Sequence, residues 1–110
     1  MILDQNGNTS IITQEKVTVI ELVKKIQALY PKFKSSNIIV ALNTLGAFEK
    51  ADIVEFLELS KKHKATKQSF VVVTDKIDLD VVPEEIMVVP TLQEAYDVIE
   101  MEDMERDLGF

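Results

Sequence analysis

Few residues in this sequence have types and spacings that could do chemistry. The one histidine, His63, stands in the run Lys61-Lys62-His63-Lys64. A serine–histidine arrangement would have to use it, and nothing in the sequence brings a nucleophile to it. Zinc enzymes and binuclear metal nucleases need several imidazoles or a converging carboxylate cluster, which a single histidine does not supply. Cysteine is absent, which excludes disulfides, thiolate catalysis and cysteine metal sites. Asp75, Asp78 and Asp80 are spaced somewhat like a calcium loop, but the glycine and distal glutamate of that loop are not in place. A phosphoaccepting aspartate would need to end a central strand beside an acidic pair. Asn43 follows one apolar run and Asp75 the other, with no acidic pair at the remaining strand end, so Asp75 is expected to cap a turn or helix. Gly7, Gly46 and Gly109 form no phosphate-cradling loop. The expectation is a non-enzymatic binding module with no cofactor and no metal. The alternative is a small hydrolase or nuclease working through carboxylates such as Asp75, Asp78 and Asp80.

The chain as a whole narrows the classes further. Its 110 residues suffice for one domain with one core and leave no room for a second. Hydrophobic content of 46% with 28% charged residues is ordinary for a soluble globular protein. The net charge of −7 opposes nucleic-acid binding, whose affinity comes mainly from neutralising phosphates. No window approaches the roughly 18 apolar residues of a membrane span, and no basic segment followed by an apolar run opens the chain. A cytoplasmic location without membrane contact is expected.

The elements that must position any site are organised around Asn37 to Thr74. Asn37-Ile-Ile-Val-Ala-Leu42 and Ser69-Phe-Val-Val-Val-Thr74 are short, β-branched and nearly free of polar interruption, the pattern of parallel strands covered by helices. A helical pattern from Glu49 to about Lys64 joins them into a strand–helix–strand crossover unit. Its apolar face is Ile53, Val54, Phe56, Leu57 and Ser60, and Leu59 falls on the polar side near His63. Lysines at the C-terminal end of this helix complement its dipole. Upstream, Asn6-Gly7 is the favoured pair for a type I′ hairpin turn, predicting an N-terminal hairpin. Thr18 and Glu21 have capping-box spacing, with Val17 and Leu22 placed as a hydrophobic staple. They open a first helix whose stripe is Val19, Leu22, Val23, Ile26, Leu29, Tyr30 and Phe33, ended near Leu29–Tyr30 by Pro31. Downstream, Ile86-Met-Val-Val89 predicts a last strand, and Thr91 with Glu94 caps a last helix with Leu92, Ala95, Tyr96 and Ile99 inward. An acidic tail of about residues 101–110 either extends that helix or docks its apolar residues in trans.

This order, with Ile38-Ile-Val-Ala-Leu42 leading through a loop into the second helix, Ser69-Phe-Val-Val-Val-Thr74, and the ending Val88-Val-Pro-Thr-Leu-Gln-Glu-Ala-Tyr-Asp-Val-Ile99, resembles the STAS domain of bacterial anti-sigma factor antagonists. The resemblance runs from about Thr9 to Glu100. It implies a single-domain α/β fold with a mixed sheet of about four or five strands, an N-terminal hairpin and helices packed mainly on one face. It also implies a regulatory role through a protein partner, of the anti-sigma kinase kind. In switchable members a serine motif at the start of the second helix is phosphorylated. The corresponding positions here are Glu49-Lys-Ala-Asp52, and Ala51 has no hydroxyl. Thr44 and Ser60 are the nearest hydroxyls, and both fall out of register. The phosphoswitch is therefore expected to be lost and the surface to be constitutively acidic. Its residues are Leu45, Gly46, Phe48, Glu49, Lys50, Ala51 and Asp52, continued by Glu55 and Leu59. The closing segment Val89 to Phe110 is also similar to short bacterial proteins labelled ribonuclease Z, an enzyme whose His-rich metal motif one histidine cannot build.

Overall fold

The computed structural model describes residues 2–14, 17–42, 50–77, 80 and 82–109, with Lys50 by its backbone alone. Five strands form one mixed sheet in the order β1-β2-β3-β4-β5. They are β1 (Ile2–Asn6), β2 (Thr9–Thr13), β3 (Asn37–Ala41), β4 (Phe70–Val73) and β5 (Met87–Val89). β1 runs antiparallel to β2, and every later neighbour is parallel. The helices are α1 (Val19–Ala28), α2 (Lys50–Val54), α3 (Leu57–Lys64) and α4 (Leu92–Asp107), with a 3₁₀ turn at Tyr30–Lys32.

The hairpin forms, but one residue later than the dipeptide suggested. Asn6 pairs with Thr9, leaving Gly7 and Asn8 as the turn. Gly7 has φ +59° and Asn8 does not enter positive φ. A turn with only its first central residue at positive φ is of the II′ kind, where glycine takes that position. β3 and β4 are buried as expected: Ile38, Ile39, Val40, Phe70, Val71 and Val72 are fully shielded from solvent. Alternation sorts their side chains onto two faces. On one face, Ile38, Val40, Phe70 and Val72 meet Leu22, Ile26, Ile53, Phe56 and Leu59 of the first three helices. The crossover from β4 to β5 adds Ile77, Val82 and Ile86 to that side. On the other face, Ile39, Val71 and Val89 meet Ala95 and Ile99 of α4.

The single helix expected from Glu49 to Lys64 is broken at Glu55–Phe56. The Phe56 amide bonds three residues back to the Ile53 carbonyl at 3.0 Å, and regular bonding resumes at Ser60. In a turn tightened to three residues, side chains three apart align rather than fan out. Ile53, Phe56 and Leu59 thereby all reach the core. This corrects the expected placement of Leu59 on the polar side: it is 2% exposed. Val54, expected inside, is turned outward at 39% exposure. Leu92 is likewise exposed rather than inward, while Ala95 and Ile99 are buried as read. The acidic tail continues α4 as far as Asp107.

Candidate interaction site

Two helices that pack side by side on a sheet leave a trough between their outer flanks, and here α1 and the α2–α3 pair do so. The upper part holds about 360 Å³ and is lined by Ile20, Val23, Lys24 and Gln27 from α1, with Val54, Glu55, Leu57 and Glu58 opposite. The lower part holds about 380 Å³ between Gln27, Tyr30, Glu58, Leu59 and Lys62. Gln27 and Glu58 line both, so the two parts are continuous over roughly 15 Å of α1 and its 3₁₀ extension. Ile20 is half-exposed beside Val54, while Val23, Tyr30 and Leu59 form the closed floor. The rim of the upper part is polarised, with Lys24 on the α1 wall and the carboxylates of Glu55 and Glu58 on the other, while Lys62 joins Glu58 on the α3 wall of the lower part.

A buried polar chain lies under this floor, where the sequence alone suggested only a helix-end histidine. His63 has no solvent exposure. Its Nε2 is 2.7 Å from the Ser36 carbonyl oxygen. A carbonyl only accepts, so Nε2 carries the proton and Nδ1 accepts from the Tyr30 hydroxyl at 2.8 Å. The Ser36 hydroxyl donates to the Phe33 carbonyl at 3.1 Å, and its 2.8 Å contact with Ser10 is therefore a bond donated by Ser10. Burial lowers the affinity of His63 for a second proton, and the hydrogen bond to the Ser36 carbonyl acts in the opposite sense. Burial also raises the Tyr30 pKa above its usual value, so the hydroxyl keeps its hydrogen. The positional signal was the interval from Tyr30 to His63, which only the packing of α3 against the 3₁₀ turn converts into contact.

A second polar cluster holds α4 down. The buried Ser69 hydroxyl donates to the Glu102 carboxylate and accepts from the Arg106 guanidinium at 3.1 Å, which also pairs with Asp103. The lone base of the acidic tail, four residues after Glu102, was its one visible sign in the sequence.

Of the surface expected for a partner, Leu45, Gly46, Phe48 and Glu49 lie outside the described residues, as does Thr44. Lys50, Ala51 and Asp52 open α2; Ala51 and Glu55 are exposed and Asp52 is half-buried. Leu59 belongs to the floor of the trough rather than to an open surface. Ser60 is fully buried, its hydroxyl directed at the Glu85 carbonyl at 3.4 Å. Asp75 and Asp80 are exposed, and Asp78 lies outside the described residues. Among the described residues no group of three or more histidine, cysteine or acidic side chains could hold a metal ion. No helix among them is long and apolar enough to cross a membrane. No protein-family model matches this sequence, and no curated protein matches it.

Proposed function

We propose that this chain is a non-enzymatic, cytoplasmic protein-interaction module of the STAS-like kind, acting in regulation through a protein partner such as an anti-sigma-type kinase. The observation that carries this reading is the trough between α1 and α2–α3, where Ile20 and Val54 face solvent together at 50% and 39% exposure. The broken helix supports it, because the turn at Glu55–Phe56 is what directs Val54 outward beside Asp52 and Glu55. The order of hairpin, helix, strand, helix pair, strand, strand and helix supports the STAS-like part of the reading. The partner seats an apolar side chain against Ile20 and Val54 and places cationic groups against Glu55 and Glu58.

The test is affinity purification of the tagged chain from its native cells, followed by reconstitution with the purified partner. Val54→Asp places a charge at the apolar contact and should weaken binding by about tenfold or more, since a desolvated charge costs on the order of 2 kcal/mol. Glu55→Lys should weaken it by less, with the loss shrinking as salt is raised. Unchanged affinity in both variants, with the fold intact by circular dichroism, would remove the trough as the binding surface.

A further inference from the structure

The hydrogen bonds of His63 leave no position for a second proton unless the Tyr30 hydroxyl turns its hydrogen away. Nε2 already donates to the Ser36 carbonyl, and Nδ1 is occupied by the hydrogen of the Tyr30 hydroxyl. Among the described residues the Tyr30 hydroxyl has no hydrogen-bond partner other than His63. Protonating Nδ1 would force that hydroxyl to reverse and leave its hydrogen without an acceptor inside the core, a desolvation cost of the kind that buried unpaired polar groups carry. The surroundings do not help the charged form. The 3₁₀ turn presents Tyr30, whose ring stands edge-on at 5.6 Å. The segment before β3 presents only the neutral Ser36 carbonyl, and β4 presents the Phe70 ring at 6.3 Å. On α3 itself the charges next to His63 in sequence are cationic, and the one carboxylate of that helix, Glu58, lines the cleft beside Tyr30. Lys62 Nζ lies 4.6 Å from the centre of the Tyr30 ring, and Lys64 Nζ donates to the Glu85 carbonyl. No carboxylate contacts the imidazole among the described residues. Tyr30 is at the same time part of the floor of the lower cleft, with Leu59 one helical turn before His63.

We propose that His63 is a pH-responsive latch on the cleft lined by Gln27, Tyr30, Glu58, Leu59 and Lys62. Neutral His63 holds the Tyr30 ring down as the floor and ties α3 to the 3₁₀ turn and to the lead into β3. Protonated His63 releases Tyr30, and the cleft deepens as α3 loosens from α1. Burial already holds the imidazole below its usual 6.5, so the latch is closed at neutral pH and opens only as pH falls below that value. The latch operates in the free chain, whether or not a partner occupies the trough.

Because the chain has a single histidine, its imidazole resonances identify themselves. A nitrogen-detected NMR titration of the full chain from about pH 8 to about pH 5 should show the Nε2–H tautomer at the upper end and a protonation midpoint below 6.5. The Tyr30 ring and Leu59 methyl resonances should shift with that same midpoint, while those of Ile39, Val71 and Ile99 on the opposite face stay still. In His63→Gln, whose amide supplies both a donor group and an acceptor group without titrating, the Tyr30 and Leu59 shifts should be lost. The Nδ1–H tautomer, a midpoint at or above 6.5, a static cleft through the titration, or both faces changing together would each overturn the latch. The titration of the unmodified chain decides the matter even if the variant does not fold.

Discussion

At Val72 every direction is occupied: the residue pairs with Val40 and Val88 on its two flanking strands and faces the core formed with α1 and α3. Val72→Asp would bury a carboxylate with no cation within that core, at a cost of several kcal/mol against a total stability of roughly 5–15 kcal/mol. Urea titration should find the variant largely unfolded or with a sharply lowered midpoint; an unchanged midpoint would remove the parallel-sheet core. His63 makes a different demand, because its folded-state basicity is lowered. As pH falls below the usual 6.5, the unfolded chain takes up the proton first, so this contribution to stability is complete above that pH and declines below it. Denaturant midpoints should therefore fall between about pH 7 and pH 5, and His63→Gln should flatten that part of the slope. Equal slopes in the two proteins would assign the whole effect to carboxylates. That His63 is buried was not legible from its neighbours, since three lysines surround it in sequence and the partners that satisfy it come from 27 and 33 residues away.

At the scale of elements, the legible parts were those whose causes are local. The Thr18 hydroxyl accepts from the Glu21 amide at 3.1 Å, and the Thr91 hydroxyl accepts from the Glu94 amide at 3.2 Å, as the spacing of both pairs requires. Thr91→Ala should cost about 1 kcal/mol, read as a lower thermal midpoint with unchanged strand content. A loss below measurement error would mean that packing of Ala95 and Ile99 alone sets the start of α4. The two strands of the central unit were legible for a similar reason, since an uninterrupted β-branched run has few other uses. The break between α2 and α3 was not. No glycine or proline marks it, and it exists because Ile53, Phe56 and Leu59 can reach the core together only through a tighter turn. The outward placement of Val54, and with it the upper end of the trough, depends on that same tertiary demand. Periodicity alone therefore put Leu59 outside and Val54 inside, the reverse of their positions.

Across the whole molecule, charge and packing divide along the sheet. α4 holds seven of the chain's 19 acidic residues and one of its 12 basic residues, so −6 of the net −7 lies on the helix that covers one face. The opposite face carries α1, α2 and α3, whose six basic and three acidic residues give a net charge of +3. A chain cut after Pro90 would lose Ala95 and Ile99 from above Ile39, Val71 and Val89, along with the Ser69–Glu102–Arg106 bonds. Such a fragment should bind a hydrophobic dye and unfold without a cooperative transition; a sharp transition with no dye binding would make α4 an accessory. The order β1-β2-β3-β4-β5 also bears on how the chain leaves the ribosome. Every strand pairs with the one synthesised just before it, so the sheet can extend in step with translation and needs no late strand inserted between earlier ones. The exception is the face under α4, which stays open until the last helix has emerged. For that interval the nascent chain presents Ile39 and Val71 to its surroundings, and the acidic segment that ends the exposure also brings the charge that keeps the finished molecules apart.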